Sequence, residues 1–160
     1  DTRIHSLDQL RGSSVSLVDP ASTSGGIVPR AMLQRTRGMP LEAWFGRVSF
    51  AGSHDAAIDV VLNGRVDAAF VSSSRVDGVV RSGRVAPDTL HVVWRSDPIP
   101  HDPFVYQADL CQPVKDAIHR VFFERQDDLK ALFVSRGMGS FVSVSESDYQ
   151  HLMQRPIDVP

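Results

Sequence analysis

The sequence predicts an α/β fold in which helices flank a mainly parallel sheet, and three observations support this prediction. Short runs rich in β-branched residues alternate with longer runs of helical period through the first half of the chain. Clusters of serine, glycine and proline separate these runs. Of the 160 residues, 42% are hydrophobic, which is enough to bury a core. Strands that alternate with helices are typical of βαβ crossovers and therefore of parallel strands.

Three pairs of strand and helix are expected along the first half of the chain. The first strand, at 14–18, is short, rich in β-branched residues and followed at once by Asp-Pro. A helix comes next because apolar residues recur over 27–33 at helical spacing. The same pattern then repeats twice, with a strand at 48–50 before a helix at 56–62, and a strand at 67–71 before a weak helix that ends near 82.

Beyond residue 90 the pattern changes. Two extended segments, at 91–94 and 104–106, flank a proline-rich stretch at 97–103, since proline favours extended backbone and is excluded from helix interiors. The remaining apolar periodicity predicts helices over 113–124, 127–133 and 147–153, with a glycine break at Gly137 and Gly139.

The composition excludes several classes of function. With 17 basic and 19 acidic residues the net charge is -2, which is not the basic footprint of a nucleic-acid-binding protein. The single cysteine, Cys111, rules out an intrachain disulfide and a cysteine-rich metal site, and no cofactor is expected. Cys111 itself is predicted at a helix or helix-start packing position. No apolar run reaches the roughly 18 residues of a membrane span, so direct membrane insertion is not expected.

The candidate ligand-binding residues begin with Ser22, Thr23, Ser24 and Gly25, which open the first predicted helix. A helix start leaves backbone N–H groups unpaired and carries a partial positive charge, so it can hold an oxyanion. The hydroxyl groups add further donors, and we expect the glycines to let a ligand approach the backbone closely. Taken alone, the same residues are more typical of an ordinary serine cap.

A second helix start strengthens this prediction. Gly52, Ser53 and His54 follow the second predicted strand and open the second helix. Because ligands of open α/β sheets bind outside the carboxyl ends of the strands, both helix starts should face the same ligand. His54 can donate a hydrogen bond from its imidazole, and a nearby anion would favour its charged form. The alternative is a histidine that only caps its helix.

Four blocks of sequence follow one another in a distinctive order. They are Asp-Pro-Ala-Ser-Thr-Ser-Gly at 19–25 with Val-Pro-Arg-Ala at 28–31, Phe-Ala-Gly-Ser-His-Asp-Ala-Ala at 50–57, Gly-Arg-Val-Asp-Ala-Ala at 64–69, and Trp-Arg-Ser leading to Ile-Pro-His-Asp-Pro over 94–103. Together they resemble the phosphonate- and phosphite-binding subunits of ABC importers. The resemblance covers nearly all of the chain and includes a similar tail at 141–149.

The resemblance implies a type 2 periplasmic binding protein, in which two α/β lobes hold a ligand in the cleft between them. It implies an α/β ligand-binding lobe at 1–96 and a hinge return at 97–108. The helices at 109–160 would belong to the other lobe. In the family that lobe is the first along the chain, and these helices would be its C-terminal part.

The resemblance also implies roles for particular residues. The family holds the phosphorus oxyanion with its Ser-Thr-Ser block and with the histidine of Gly-Ser-His, which correspond to residues 22–24 and to His54. Its acidic residue corresponds to Asp102, whose carboxylate can accept a hydrogen bond from a protonated oxyanion. Such an acceptor would reject sulfate, which carries no proton near neutral pH. The alternative is that Asp102 only caps the turn at Pro103.

Two departures from the family pattern narrow the expected ligand. Members that take up aminoalkyl phosphonates place an acidic residue after the third strand, whereas this chain has Ser-Ser-Ser-Arg at 72–75. This difference favours phosphite, a small alkyl phosphonate, or another oxyanion such as arsenite or phosphate. The family's first segment is also absent, so we expect either a fragment of a longer protein or a partner that supplies the opposite wall.

The sequence therefore predicts the substrate-binding component of an ABC importer, located in the periplasm, with a small oxyanion as ligand and an ABC permease as partner. The alternative with the same fold is a periplasmic ligand-sensing domain of a signalling system for such an oxyanion. A structural interaction module is a third class. Catalysis is not expected, because no Gly-x-Ser-x-Gly elbow occurs and the candidate serines and histidine lie at separate helix starts. The chain begins without a signal peptide, and we expect an upstream segment to have been removed.

Overall fold

A computed structural model of the chain describes residues 4–136 and 138–150. The chain forms two compact units, of which the first runs to Ile99 and the second begins at Pro100. Gly137 of the predicted glycine break and the end of the helix predicted over 147–153 lie outside the described residues. Within the described residues, no helix is long and apolar enough to cross a membrane.

The first unit has the alternating strands and helices that the sequence predicts. A 3-10 turn at Leu7–Leu10 precedes the first strand, and a single π-helical turn at Thr23–Ile27 leads into the first helix. The elements are β1 (Ser14–Leu17), α1 (Val28–Arg37), α2 (Leu41–Trp44), β2 (Arg47–Phe50), α3 (His54–Leu62), β3 (Ala68–Ala69) and α4 (Ser73–Arg81). The α/β prediction is confirmed, while the short helix α2 was not predicted.

The three strands form one parallel sheet in the order β2-β1-β3. Ser14 lies opposite Arg47 of β2, and Val15 lies opposite Ala68 of β3. The third strand is shorter than the predicted 67–71, because its regular pairing with β1 covers two residues. Just before it, the Asp67 carboxylate accepts hydrogen bonds from the backbone N–H of Ser14 at 2.8 Å and from its hydroxyl at 2.6 Å. These bonds hold β1 and β3 together at the amino end of the sheet.

The central strand β1 is covered on both faces. Val15 and Leu17 are fully buried and pack with Met32 and Leu33 of α1. The order β2-β1-β3 means that the chain moves from β1 to β2 through α1 and then returns across β1 to β3 through α3. Since such crossovers are right-handed, the two helices lie on opposite faces of the sheet. Ile58 of α3 accordingly belongs to a separate apolar cluster with Val79 and Val85.

The start of α1 packs very closely against the end of β1. Gly25 and Gly26 are buried, and the backbone N–H of Val18 donates to the carbonyl of Gly25 at 2.9 Å. A Cβ atom at Gly25 would overlap the side chain of Val18, and one at Gly26 would overlap the carbonyl oxygen of Asp19. Whether these glycines also let a ligand approach the backbone stays a prediction. They are needed because the helix start and the strand end leave no room for a side chain.

We expect Gly25→Ala to lower the free energy of unfolding by about 2 kcal/mol, since a methyl group must displace Val18 in a close-packed region. Urea denaturation followed by circular dichroism measures the change. Gly78→Ala is the matched control, because a Cβ atom at Gly78 in α4 meets nothing within 4 Å. That variant should be as stable as the wild type or more stable by up to about 1 kcal/mol. Equal stabilities of the two variants would contradict the packing argument.

The second unit is mainly helical, as the sequence predicts. Its elements are α5 (Gln112–His119), which continues as a π-helical turn at Arg120–Glu124, a 3-10 turn at Gln126–Leu129, α6 (Lys130–Arg136) and a 3-10 turn at Glu146–Asp148. Cys111 is the residue before α5, as predicted, but it is exposed and does not pack. The segments predicted as extended at 91–94 and 104–106 lie outside the helices and strands of the described chain.

Four aromatic rings hold the second unit together. The Phe141 ring lies 4.6 Å from Phe122, 5.2 Å from Phe133 and 5.4 Å from Phe104 between ring centroids. The Gln126 side chain accepts a hydrogen bond from the backbone N–H of Phe141 at 3.1 Å and so anchors this cluster. Phe133 is buried, whereas Phe104 is 75% exposed. The cluster is therefore open to solvent on one side.

Candidate functional site

Three helices of the first unit begin at the same edge of the sheet. In a parallel sheet the carboxyl ends of the strands share one edge, and each strand here is followed directly by a helix start. The loops after β1 and β2 are joined by a hydrogen bond from the backbone N–H of Gly52 to the carbonyl of Val18 at 2.8 Å. The sequence order reverses at β1, which is the position where open α/β sheets form a crevice for ligands.

The first helix start offers four donors. Ser22 is the cap, and its hydroxyl oxygen accepts from the backbone N–H of Gly25 at 3.2 Å. Thr23 and Ser24 are half-buried, and in the described part of the chain neither their backbone N–H groups nor their hydroxyls have a hydrogen-bond partner. The predicted loop thus forms the first turn of a helix, with Ser22 capping it and the next two residues free to bind.

The second helix start has the same design. The Ser53 hydroxyl oxygen caps α3 by accepting from the backbone N–H of Ala56 at 3.1 Å. The backbone N–H groups of His54 and Asp55 have no partner among the residues that the structure describes. Ser53 is exposed and His54 is half-buried. The predicted cap and the predicted ligand-binding histidine are thus adjacent on one helix end.

The third helix start completes the group and was not predicted as part of the site. Ser72 precedes α4, and its backbone N–H donates to Nδ1 of His54 at 3.1 Å. Strands β2 and β3 lie on opposite sides of β1, so this bond joins their loops across the carboxyl end of the central strand. The Ser-Ser-Ser run at 72–74 after the third strand was the sequence feature that could have indicated it, since it repeats the pattern of the other two starts.

This hydrogen bond also determines the state of the His54 imidazole. Because Nδ1 accepts a hydrogen bond, the proton of the neutral ring lies on Nε2, which remains available as a donor. Burial lowers the pKa of His54 below its ordinary value, and the Arg75 guanidinium lowers that pKa further. The carboxylates of Asp55 and Asp19 act in the opposite direction. In the absence of ligand His54 is therefore a neutral donor at pH 7.

Asp102 belongs to the second unit. Its side chain is exposed, and it makes no hydrogen bond with the described residues. The proposed place of Asp102 beside the oxyanion therefore stays a prediction. The structure brings together residues 22–25 and 53–54 of the predicted site, and it adds Ser72.

The profile of a family described as the periplasmic substrate-binding protein of phosphonate ABC transporters matches residues 1–149. The chain belongs to this family. The "Phosphate-import protein PhnD" of Mycolicibacterium smegmatis is 30% identical to it over 129 residues. The "Phosphonates-binding periplasmic protein" of Escherichia coli K12 is 29% identical over 152 residues. By their names, the first relative imports phosphate and the second is a periplasmic protein that binds phosphonates.

The chain spans less than half the length of these two relatives. The alignments cover 76% and 91% of this chain, but 40% of the mycobacterial protein and 44% of the E. coli protein. A solved structure, XAC2383 from Xanthomonas citri bound to ATP, covers 96% of this chain and 60% of its own with a TM-score of 0.70. At 23% identity this likeness shows the fold alone, which is the periplasmic-binding type.

We expect the stability of the chain to fall as the pH drops from the ordinary histidine pKa of 6.5 towards the lowered pKa of His54. In this window the unfolded chain binds a proton that the folded chain resists, because protonation of Nδ1 breaks the bond from Ser72. Urea denaturation between pH 5 and pH 8 measures this dependence.

His54→Asn is the control, since its amide oxygen can accept the Ser72 N–H without titrating. As the pH rises, the unfolding free energy of the wild type should increase relative to that of His54→Asn. A difference that stays constant from pH 5 to pH 8 would contradict the lowered pKa.

Proposed function

We propose that this chain carries the oxyanion-binding lobe of a periplasmic substrate-binding protein that delivers a phosphonate or phosphite to an ABC permease. The observation that supports this proposal is the convergence of three helix starts, linked by the hydrogen bond from Ser72 to His54, at one edge of the sheet. The family to which the chain belongs has the same ligand class and the same role in transport.

The convergence suits an oxyanion for three physical reasons. Unpaired backbone N–H groups at helix starts are preorganised donors, and each helix contributes partial positive charge there. The hydroxyls of Thr23 and Ser24 add donors that no described protein group uses. Neutral His54 adds an N–H at Nε2, so the ligand's oxygens can be bound without a metal.

Asp102 is the proposed selectivity residue. Its carboxylate would accept a hydrogen bond from the acidic proton of a monoprotonated oxyanion, which sulfate lacks near neutral pH. The negative carboxylate of Asp102 would repel a fully deprotonated oxyanion. Asp102 would therefore reject sulfate.

The helices of the second unit are proposed to belong to the other lobe, with residues 97–108 as the hinge return. Among the described residues, most of the large apolar side chains that are exposed lie in this unit, although it is the smaller one. Phe133 is its one large apolar residue that is buried in the described part of the chain. Such an open apolar surface is typical of a core that polypeptide outside these residues completes.

We predict that one or more of phosphite, methylphosphonate, phosphate and arsenite will bind, while sulfate will not. Two-dimensional NMR of the 160-residue chain at millimolar ligand is the suitable measurement, because one lobe without its opposite wall binds weakly. The amide signals of Thr23, Ser24 and His54 should shift on titration. His54→Ala should remove the binding, because it deletes the donor and leaves the Ser72 N–H without its acceptor.

The matched control is His91→Ala, since His91 is an exposed histidine of the same unit whose ring packs against His5 and makes no hydrogen bond with the three helix starts in the described chain. It should bind as the wild type does. If sulfate bound as tightly as the protonated oxyanions, the role of Asp102 would be excluded. If none of the oxyanions shifted these signals, the oxyanion proposal itself would fail.

We also predict that backbone amides of α5 and α6 exchange with solvent faster than those of β1 by at least about tenfold, because few buried apolar contacts hold the second unit. Hydrogen exchange with mass spectrometry on the 160-residue chain measures the rates. Equal protection of the two regions would show that the second unit has a complete core of its own.

A further inference from the structure

Helix α5 and the π-helical turn that continues it have an apolar side that the described chain leaves uncovered. Val114, Ile118 and Val121 recur there at helical spacing, so their side chains lie on one side of the helix. Val114 and Val121 are each 43% exposed, and within the described chain no residue of α5 or of this turn is buried. Because a short amphipathic helix gains most of its stability by burying its apolar side, α5 requires a partner surface.

The apolar side of α5 continues into the aromatic rings of the second unit. The ring of Phe122 lies 5.1 Å from Phe104 and 4.6 Å from Phe141 between centroids. The Lys115 Nζ atom lies 6.0 Å from the centroid of the Tyr106 ring, which places Tyr106 beside α5. Phe104 is 75% exposed and Tyr106 is 53% exposed. These contacts join the side chains into one surface, which we call the α5 face and which consists of Phe104, Tyr106, Val114, Ile118, Val121 and Phe122.

The α5 face is large enough to hold two chains together. Its side chains expose on the order of 500 Å² of apolar surface. An interface of standard size takes about 800 Å² from each partner, and roughly 60% of that area is apolar. The apolar area that each partner contributes to such an interface is therefore about what one α5 face offers.

The charges beside the α5 face favour a second copy of this chain as the partner. The segment 112–124 carries two basic and two acidic residues, which are Lys115, Arg120, Asp116 and Glu124. Since these charges cancel, identical copies of the segment do not repel each other, and the segment has no net charge to attract a strongly charged partner. A twofold pair uses the same surface on both copies, so one apolar face supplies both sides of the interface.

We propose that two copies of this chain associate through the α5 face about a twofold axis, so that each copy covers the open apolar surface of the other's second unit. The pair is closed at two chains, because a twofold contact uses the same face of both copies and leaves none for a third. The inference does not depend on the oxyanion ligand, since it involves only residues of the second unit.

Sedimentation equilibrium of the 160-residue chain tests this proposal. At about 200 µM the weight-average mass should approach twice that of one chain, because interfaces of this size have dissociation constants in the micromolar range or below.

The variant Val114→Asp should raise the dissociation constant of the pair at least about tenfold, since it places an unpaired charge in an apolar interface. Val114 lies in the first turn of α5, where the helix dipole favours an acidic residue, so the helix itself should remain formed. The far-ultraviolet circular dichroism of the variant should match that of the wild type. Val92→Asp is the matched control, because Val92 is a valine of the first unit that is 48% exposed. It should associate as the wild type does.

Three outcomes would overturn the inference. A chain that is monomeric at about 200 µM would leave the α5 face to a different polypeptide. A dimer that Val114→Asp does not weaken would use another surface. Growth beyond two chains would exclude a closed twofold pair. None of these outcomes bears on oxyanion binding by the first unit, which the NMR titration tests separately.

Discussion

Strand β1 is hydrogen-bonded to a parallel neighbour on each side and covered by helices on both faces, and the rest of the first unit depends on this arrangement. Because β2 and β3 follow it on opposite sides, the two crossovers run in opposite directions and place α1 and α3 on opposite faces. The loops after all three strands then meet at the carboxyl end of β1. The position of the candidate site is thus a consequence of strand order, and no individual side chain is needed to create it.

Strand order sets the position of the candidate site, and the side chains at this edge of the sheet determine how its hydrogen-bond donors are held. Gly25 and Gly26 let the start of α1 pack against the end of β1, so the first helix start is held rigidly by the core. The hydrogen bond from Ser72 to His54 joins the outer two loops and selects the neutral imidazole tautomer. The donors are therefore positioned before any ligand arrives, which lowers the entropic cost of binding. Such preorganised donors would suit the small oxyanion that we propose as the ligand.

The two units differ in how completely they bury apolar surface. The first has two apolar clusters around its sheet, whereas the second depends on an aromatic cluster around Phe141 that leaves Phe104 largely exposed. Relatives of the phosphonate-binding family are more than twice as long as the matched segments. In the two-lobed protein that we propose, closure of the lobes would exclude water and so strengthen each polar contact with the ligand.

The sequence by itself determined the order and type of the strands and of the helices α1, α3 and α4 of the first unit, because hydrophobic period, serine caps and glycines are local properties of the chain. It also indicated residues 22–25 and His54, since helix starts are readable from sequence. The tertiary structure alone decided the rest. The bond from Ser72 to His54 joins residues that are 18 positions apart, and the buried state of Gly25 depends on Val18 across the strand end. Long-range packing placed these groups together, and such contacts cannot be predicted from a local pattern of residues.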